Sequence, residues 1–179
     1  MPSTLVVDNI QPRTGTTVTM PAGSTFYAPG AVIQVVNFQT GALATGTTTL
    51  PTDNTIPQNT EGNEYMTLSI TPKSVTSKLL IDVVWQGSHS AAGIGFTIAL
   101  FQDSTVNALA TSMNSVTSAN YQFTTTLRHY MTAGTVSSTT FKVRAGSGTA
   151  GTTTFNGWGA AVQYGGVLAS SITITEIGA

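Results

Sequence analysis

KLLIDVVWQG, residues 78–87, decides the fold. In an extended chain Leu79, Ile81, Val83 and Trp85 fall on one side, with Asp82 and Gln86 opposite. A period of two is what a strand with one buried face requires. The same alternation recurs outward in both directions. In MTLSI (66–70), Met66, Leu68 and Ile70 oppose Thr67 and Ser69. In GFTIALFQ (95–102), Phe96, Ile98 and Leu100 point inward. In YQFTTTLRHYMT (121–132), Tyr121, Phe123, Leu127 and Met131 oppose Gln122, Thr124, Arg128 and Thr132. TFKVRA (140–145) turns Phe141 and Val143 in and Lys142 and Arg144 out, and SITITEI (171–177) aligns Ile172 with Ile174. AVIQVVNF (31–38) is a near-continuous apolar run and reads as a buried strand. No window of helix length carries a 3.6-residue apolar period.

Short antiparallel strands in this number, separated by Gly, Pro, Asn and Ser clusters, predict an all-β, antiparallel β-sandwich of jelly-roll type. The sandwich spans residues 31–179, and residues 1–30 form an extended N-terminal arm. Three segments lack a period. Residues 43–65, with Pro51 and Pro57, read as a long loop. Residues 103–120 have room for one more short strand. Residues 145–166 are rich in glycine and hold Phe155, Trp158 and Tyr164.

Composition narrows the function classes. Charged residues make up 7% of the 179-residue chain, against about 25% in an average soluble protein. The net charge of −1 leaves no electrostatic footprint for nucleic acid or an anionic membrane. Threonine, which favours strands, supplies roughly a fifth of the residues. The mean hydropathy is +0.16. A low-charge, strand-rich chain has adhesive edges, and a closed homo-oligomer is the simplest way to cover them. There is no cysteine, so disulfides and thiolate metal sites are excluded. No stretch approaches the ~20 apolar residues of a membrane span, so no membrane insertion is expected. Leu5, Val6 and Val7 are too short a run for a signal peptide.

Residues that carry chemistry are sparse. Of seven acids, only Asp53, Glu61 and Glu64 cluster. Their spacing does not match a calcium loop, so a solvated loop is the reading. His129 is in phase with Leu127 and Met131 and reads as a core or interface histidine. No nucleophile elbow, zinc motif or phosphate loop leading into a helix is present. The expectation is a protein that is not an enzyme and needs no cofactor. Alternation turns Glu176 inward. A frayed or bulged final strand would leave it wet, and that reading is preferred to a buried acid paired with an Arg across a subunit boundary.

Several stretches resemble phage tail-fibre and related virion proteins. LVVDNIQPRTGTTVTMP (5–21) resembles their N-terminal module, and PGAVIQVV (29–36) the entry into their globular part. TIPQNTEGNEYMTLSITPKSVTSKLLIDV (55–83) and ALFQDSTVNALA (99–110) resemble its middle, and SITITEIGA (171–179) its closing strand. The resemblance implies a jelly-roll-like homotrimer mounted on a virion, made in the host cytoplasm and acting outside the cell. It makes residues 1–30 an attachment arm to other virion proteins, with Leu5, Val7 and Ile10 as its docking side chains. A long fibre carries a shaft of repeats where residues 30 and 31 meet here; this sequence has none there.

Four functions follow as expectations. The first is a tail-fibre-like or tail-associated structural protein touching the host. The second is a capsid decoration protein built on the same trimer. An enzyme that degrades surface polysaccharide is third, and few acids are available for it. A free lectin is fourth. Phe155, Trp158 and Tyr164 are the candidates for contact with the host surface, with a glycan as the natural partner of aromatic rings. The competing reading of Trp158 is a side chain filling a core gap between Gly157 and Gly159.

Overall fold

The computed structural model describes residues 28–179, so Leu5, Val7 and Ile10 lie outside the described residues. The strands are β1 (Val32–Thr40), β2 (Ala44–Gly46), β3 (Asn63–Ile70), β4 (Lys78–His89), β5 (Ile94–Gln102), β6 (Ala110–Val116), β7 (Phe123–Thr132), β8 (Thr139–Ser147), β9 (Thr153–Phe155), β10 (Gly157–Trp158), β11 (Ala161–Val162) and β12 (Ser170–Ile177). One short 3-10 turn, Tyr164–Gly166, precedes β12.

The long strands form two antiparallel layers. One runs β1-β12-β4-β7 and the other β3-β8-β5-β6. Numbered first to eighth along the chain, the long strands pair first with eighth, third with sixth, second with seventh and fourth with fifth. That nested pairing is the jelly roll. The alternating residues read from the sequence fill the space between the layers. Leu79, Ile81, Val83 and Trp85 of β4 meet Phe96, Ile98 and Leu100 of β5, Phe141 and Val143 of β8, and Ile172 and Ile174 of β12. Strand β6 occupies the segment with room for one more strand.

Residues 43–65 are more than a loop. They contain β2 and the start of β3, and between them the chain crosses the outer face of the second layer. Leu50 is fully buried there against Ala99 and Phe101, which is why β5 is apolar on both faces. Arg144 holds this cover by donating to the carbonyls of Glu61 (2.8 Å) and Gly62 (2.7 Å).

Among the described residues, nothing comparable covers the outer face of the first layer. Its register brings Val32 and Val35 of β1, Ile177 of β12, Leu80 and Val84 of β4, and Tyr130 of β7 to one surface. Val35 is 56% exposed and Tyr130 57%. The Arg128–Asp82 ion pair neutralises itself in the middle of that surface. This corrects the expectation of a buried strand at 31–38. Among the described residues strand β1 pairs on one side only, and its apolar run divides between the core (Val36) and the bare face.

Glu176 also departs from expectation. It is fully buried, in phase with Ile172 and Ile174, because β12 is regular to its end. Among the described residues it pairs with no arginine. The Gln34 side chain donates to one oxygen and the Lys73 N–H to the other at 2.8 Å. Burial alone pushes the carboxyl pKa up. Hydrogen-bond donors, the Gln34 side chain foremost and the Lys73 N–H with it, outweigh burial and hold it below the ordinary value. The carboxylate thereby ties β1, β12 and the 71–77 loop together.

Candidate functional site

The site is built where the first layer is interrupted. Strands β9 and β12 both pair with β4, Phe155 opposite Gly87 and Ser171 opposite Val84. The chain leaves the sheet after Phe155, makes an excursion over residues 156–169, and returns at Ser170. Asn156 fixes this corner. It is fully buried in the left-handed region (φ 54°). Its amide donates to the carbonyls of Thr40 (2.7 Å) and Ala42 (3.1 Å), and its oxygen accepts from the Ser170 hydroxyl (2.7 Å). Every polar group of that side chain is used, so exit and return points are tied to each other and to β1. Gly87 lets β9 cross closely, since a Cβ there would lie 2.1 Å from the Thr154 carbonyl oxygen.

Beyond the corner, β10 and β11 form a hairpin whose turn residues, Gly159 and Ala160, both have positive φ. That is the primed turn geometry suited to a tight hairpin. Two hydroxyls steady it. The Gly159 N–H donates to Ser88 at 3.3 Å, and the Ala160 N–H donates to Thr154 at 3.1 Å. The hairpin lifts Trp158 to 49% exposure. Tyr121 lies beside it, with ring centroids 6.5 Å apart. Tyr164, in the left-handed region and 74% exposed, closes the other side. Together with Gln122 and Gln163 these residues line a cleft of about 250 Å³.

Of the three candidates read from the sequence, Trp158 and Tyr164 share this cleft and Phe155 does not. Phe155 is 2% exposed and stacks on Tyr65 at 5.1 Å inside the sandwich. It sits on β9, before the corner, and so belongs to the core. Trp158 does not fill a core gap. Tyr121 and Gln122 were missed. Alternation assigned Tyr121 to the buried face of 121–132, but β7 begins at Phe123. Asn120 takes a left-handed backbone (φ 57°) that turns the chain first. An Asn immediately before an aromatic strand was the available signal.

The clustered acids are committed locally. Asp53 accepts from the Thr55 N–H (2.8 Å) and hydroxyl (2.6 Å), which holds its pKa below the ordinary value. Glu61 accepts from the Gln58 N–H, and Glu64 lies 3.6 Å from Arg144. Among the described residues no three His, Asp or Glu side chains gather in a way that could hold a metal ion.

Because Trp158 packs on one side only, Trp158→Ala should cost about 1 kcal/mol or less, as surface changes do. It should also remove most of the acrylamide-quenchable tryptophan emission, since the other tryptophan, Trp85, is fully buried. A large fall in melting temperature would contradict the exposed placement.

No family profile matches the chain, and no curated protein matches it. Among solved structures it is similar to Eiger TNF from S. frugiperda, at 12% identity and TM-score 0.48, over 80% of this chain and 92% of that one. It is also similar to dimeric latent PorU from Porphyromonas gingivalis, at 10% identity and TM-score 0.38. That likeness covers 84% of this chain, which spans only 14% of the other.

Proposed function

We propose that the chain is a non-enzymatic structural protein of a bacteriophage virion, tail-fibre-like or tail-associated, anchored by its N-terminal arm and contacting the host surface with its opposite end. One observation carries the reading. Residues 28–31 enter the sandwich at the end where β12 finishes, with the Gly30 N–H donating to Gly178 and the Gly178 N–H to Ala31. The aromatic cleft lies at the other end, past the far end of β4. Twelve residues of β4 separate the two ends by roughly 35–40 Å. Val75 and Val136 are half exposed at the entry end, where apolar contact with a particle would be favourable.

The bare face of the first layer supports a homotrimer. It carries apolar and hydroxyl side chains and few charges, and would bury against its own kind at little electrostatic cost. Light scattering should report three chains of 18.5 kDa each, and Val35→Lys should drive the protein toward monomer. A monomeric parent protein would reject the trimer. Deleting residues 1–27 should leave a folded protein that no longer appears in purified particles. Incorporation at the normal level would show that the arm is not the anchor.

A capsid decoration protein is the second reading. It is favoured by the direct passage from the turn at 28–31 into β1, with no shaft of repeats between. Copy number separates the two. A gel of purified particles should show few copies for a tail protein and a number comparable to the capsid subunit for a decoration protein.

A further inference from the structure

The cleft at the far end has a chemistry that narrows its ligand. Its five lining residues, Tyr121, Gln122, Trp158, Gln163 and Tyr164, include three aromatic rings and two amides and no charged group. Aromatic faces pack well on the C–H faces of a pyranose ring, and amides accept and donate to its hydroxyls. Gln122 is pre-oriented. Its nitrogen donates to Gln86 Oε1 at 3.2 Å, and that same oxygen takes the Thr124 hydroxyl at 2.7 Å. The Gln122 carbonyl oxygen is therefore the end left to accept a ligand hydroxyl.

The support beneath the cleft is fixed. Four of the five described non-glycine residues with positive φ, namely Asn120, Asn156, Ala160 and Tyr164, surround it. Such conformations persist where neighbouring contacts hold them, and they gather at binding sites. The cleft volume of about 250 Å³ falls below the roughly 300–1,000 Å³ of sites for drug-sized ligands, which suits one sugar ring rather than a long chain. An acidic sugar would bring a carboxylate with no cation among the described lining residues to meet it, at the cost of desolvating that charge.

From this geometry we infer that the cleft binds a neutral pyranose, such as a hexose residue of a surface glycan, stacked on Trp158 and flanked by Tyr121 and Tyr164. The inference deepens the host-facing role proposed above, and it is testable on the isolated protein without any particle.

The experiment is a glycan array carrying neutral and acidic sugars, probed with the full chain, Trp158→Ala and Trp158→Phe. In parallel, the indole N–H resonances are followed during titration with neutral methyl hexosides. The expected result is binding to neutral glycans, weakened by about tenfold or more in Trp158→Ala and partly restored in Trp158→Phe. The Trp158 resonance should move on titration while that of Trp85 stays in place. Binding to acidic glycans alone, no binding, or binding that Trp158→Ala leaves unchanged would overturn the inference. Because incorporation into particles is measured separately by the arm deletion, loss of the sugar site leaves the virion role standing. Failure of the arm deletion likewise leaves the sugar site untouched.

Discussion

Trp85→Ala is expected to remove a large part of the stability of the protein. The indole is fully buried at the centre of an aromatic cluster. Its ring lies 4.7 Å from Phe96, 5.6 Å from Phe123, 5.9 Å from Phe155 and 6.2 Å from Tyr65. These rings come from both layers, so the cavity left by alanine opens where the two layers grip each other. Such truncations cost about 3–5 kcal/mol, against a total of about 5–15 kcal/mol for a domain. Trp85→Phe should cost much less. It retains most of the packing and removes an indole N–H that has no hydrogen-bond partner among the described residues. Denaturant titration checks both, and a cost below about 1 kcal/mol for Trp85→Ala would show that the cluster is not the centre of the core.

Glu176→Ala is expected to have the second largest effect. It removes the acceptor of the Gln34 amide and of the Lys73 N–H at a partly buried site, where the Gln34 amide keeps its bond to the Thr71 carbonyl, at a cost of about 1–3 kcal/mol. It should also release β1, since Gln34 lies beside the register irregularity at the start of that strand. The pH dependence has a definite sign. The folded pKa of Glu176 lies below its reference of 4.5. Its contribution is therefore present above that reference and is lost as pH falls through the lower folded value. His89 and His129 are also lowered, both by burial, from a reference of 6.5. Their folded sites disfavour the charged form, so stability begins to fall below about pH 6.5 and continues down through their folded values. Acidification should therefore weaken the protein in two stages, the histidines first. Glu176→Ala should flatten only the second stage. A protein equally stable at pH 7 and pH 4 would contradict these environments.

The layers of the sandwich were legible from residues 78–87 and their counterparts because alternation reports which face is buried, and burial is what a two-layer fold must arrange. What alternation cannot report is pairing. AVIQVVNF looked buried because it is a near-continuous apolar run, yet among the described residues β1 is an edge strand with Val32 and Val35 on the bare face. Whether an apolar face meets the core or a partner is a tertiary fact. Glu176 was misread for a related reason. A carboxylate inside is costly unless donors converge on it, and those donors come from Gln34 and the 71–77 loop, far apart in sequence. The cleft was half legible. The glycine-rich stretch with Trp158 and Tyr164 marked the excursion. Phe155 was grouped with them because the corner at Asn156, which separates core from surface, has no sequence period. Tyr121 joins the cleft through a turn about forty residues from Trp158.

The central claim is that the sandwich is polar, with its arm end toward the particle and its aromatic end away. The chain has no cysteine, so one introduced thiol gives a unique label. Val136→Cys marks the arm end and Val167→Cys the cleft end, and both positions are exposed. Electron-dense thiol labels on purified particles should place position 167 farther from the particle surface than position 136, by about 35–40 Å, the length of the sheet. Equal radii, or the reverse order, would contradict the account.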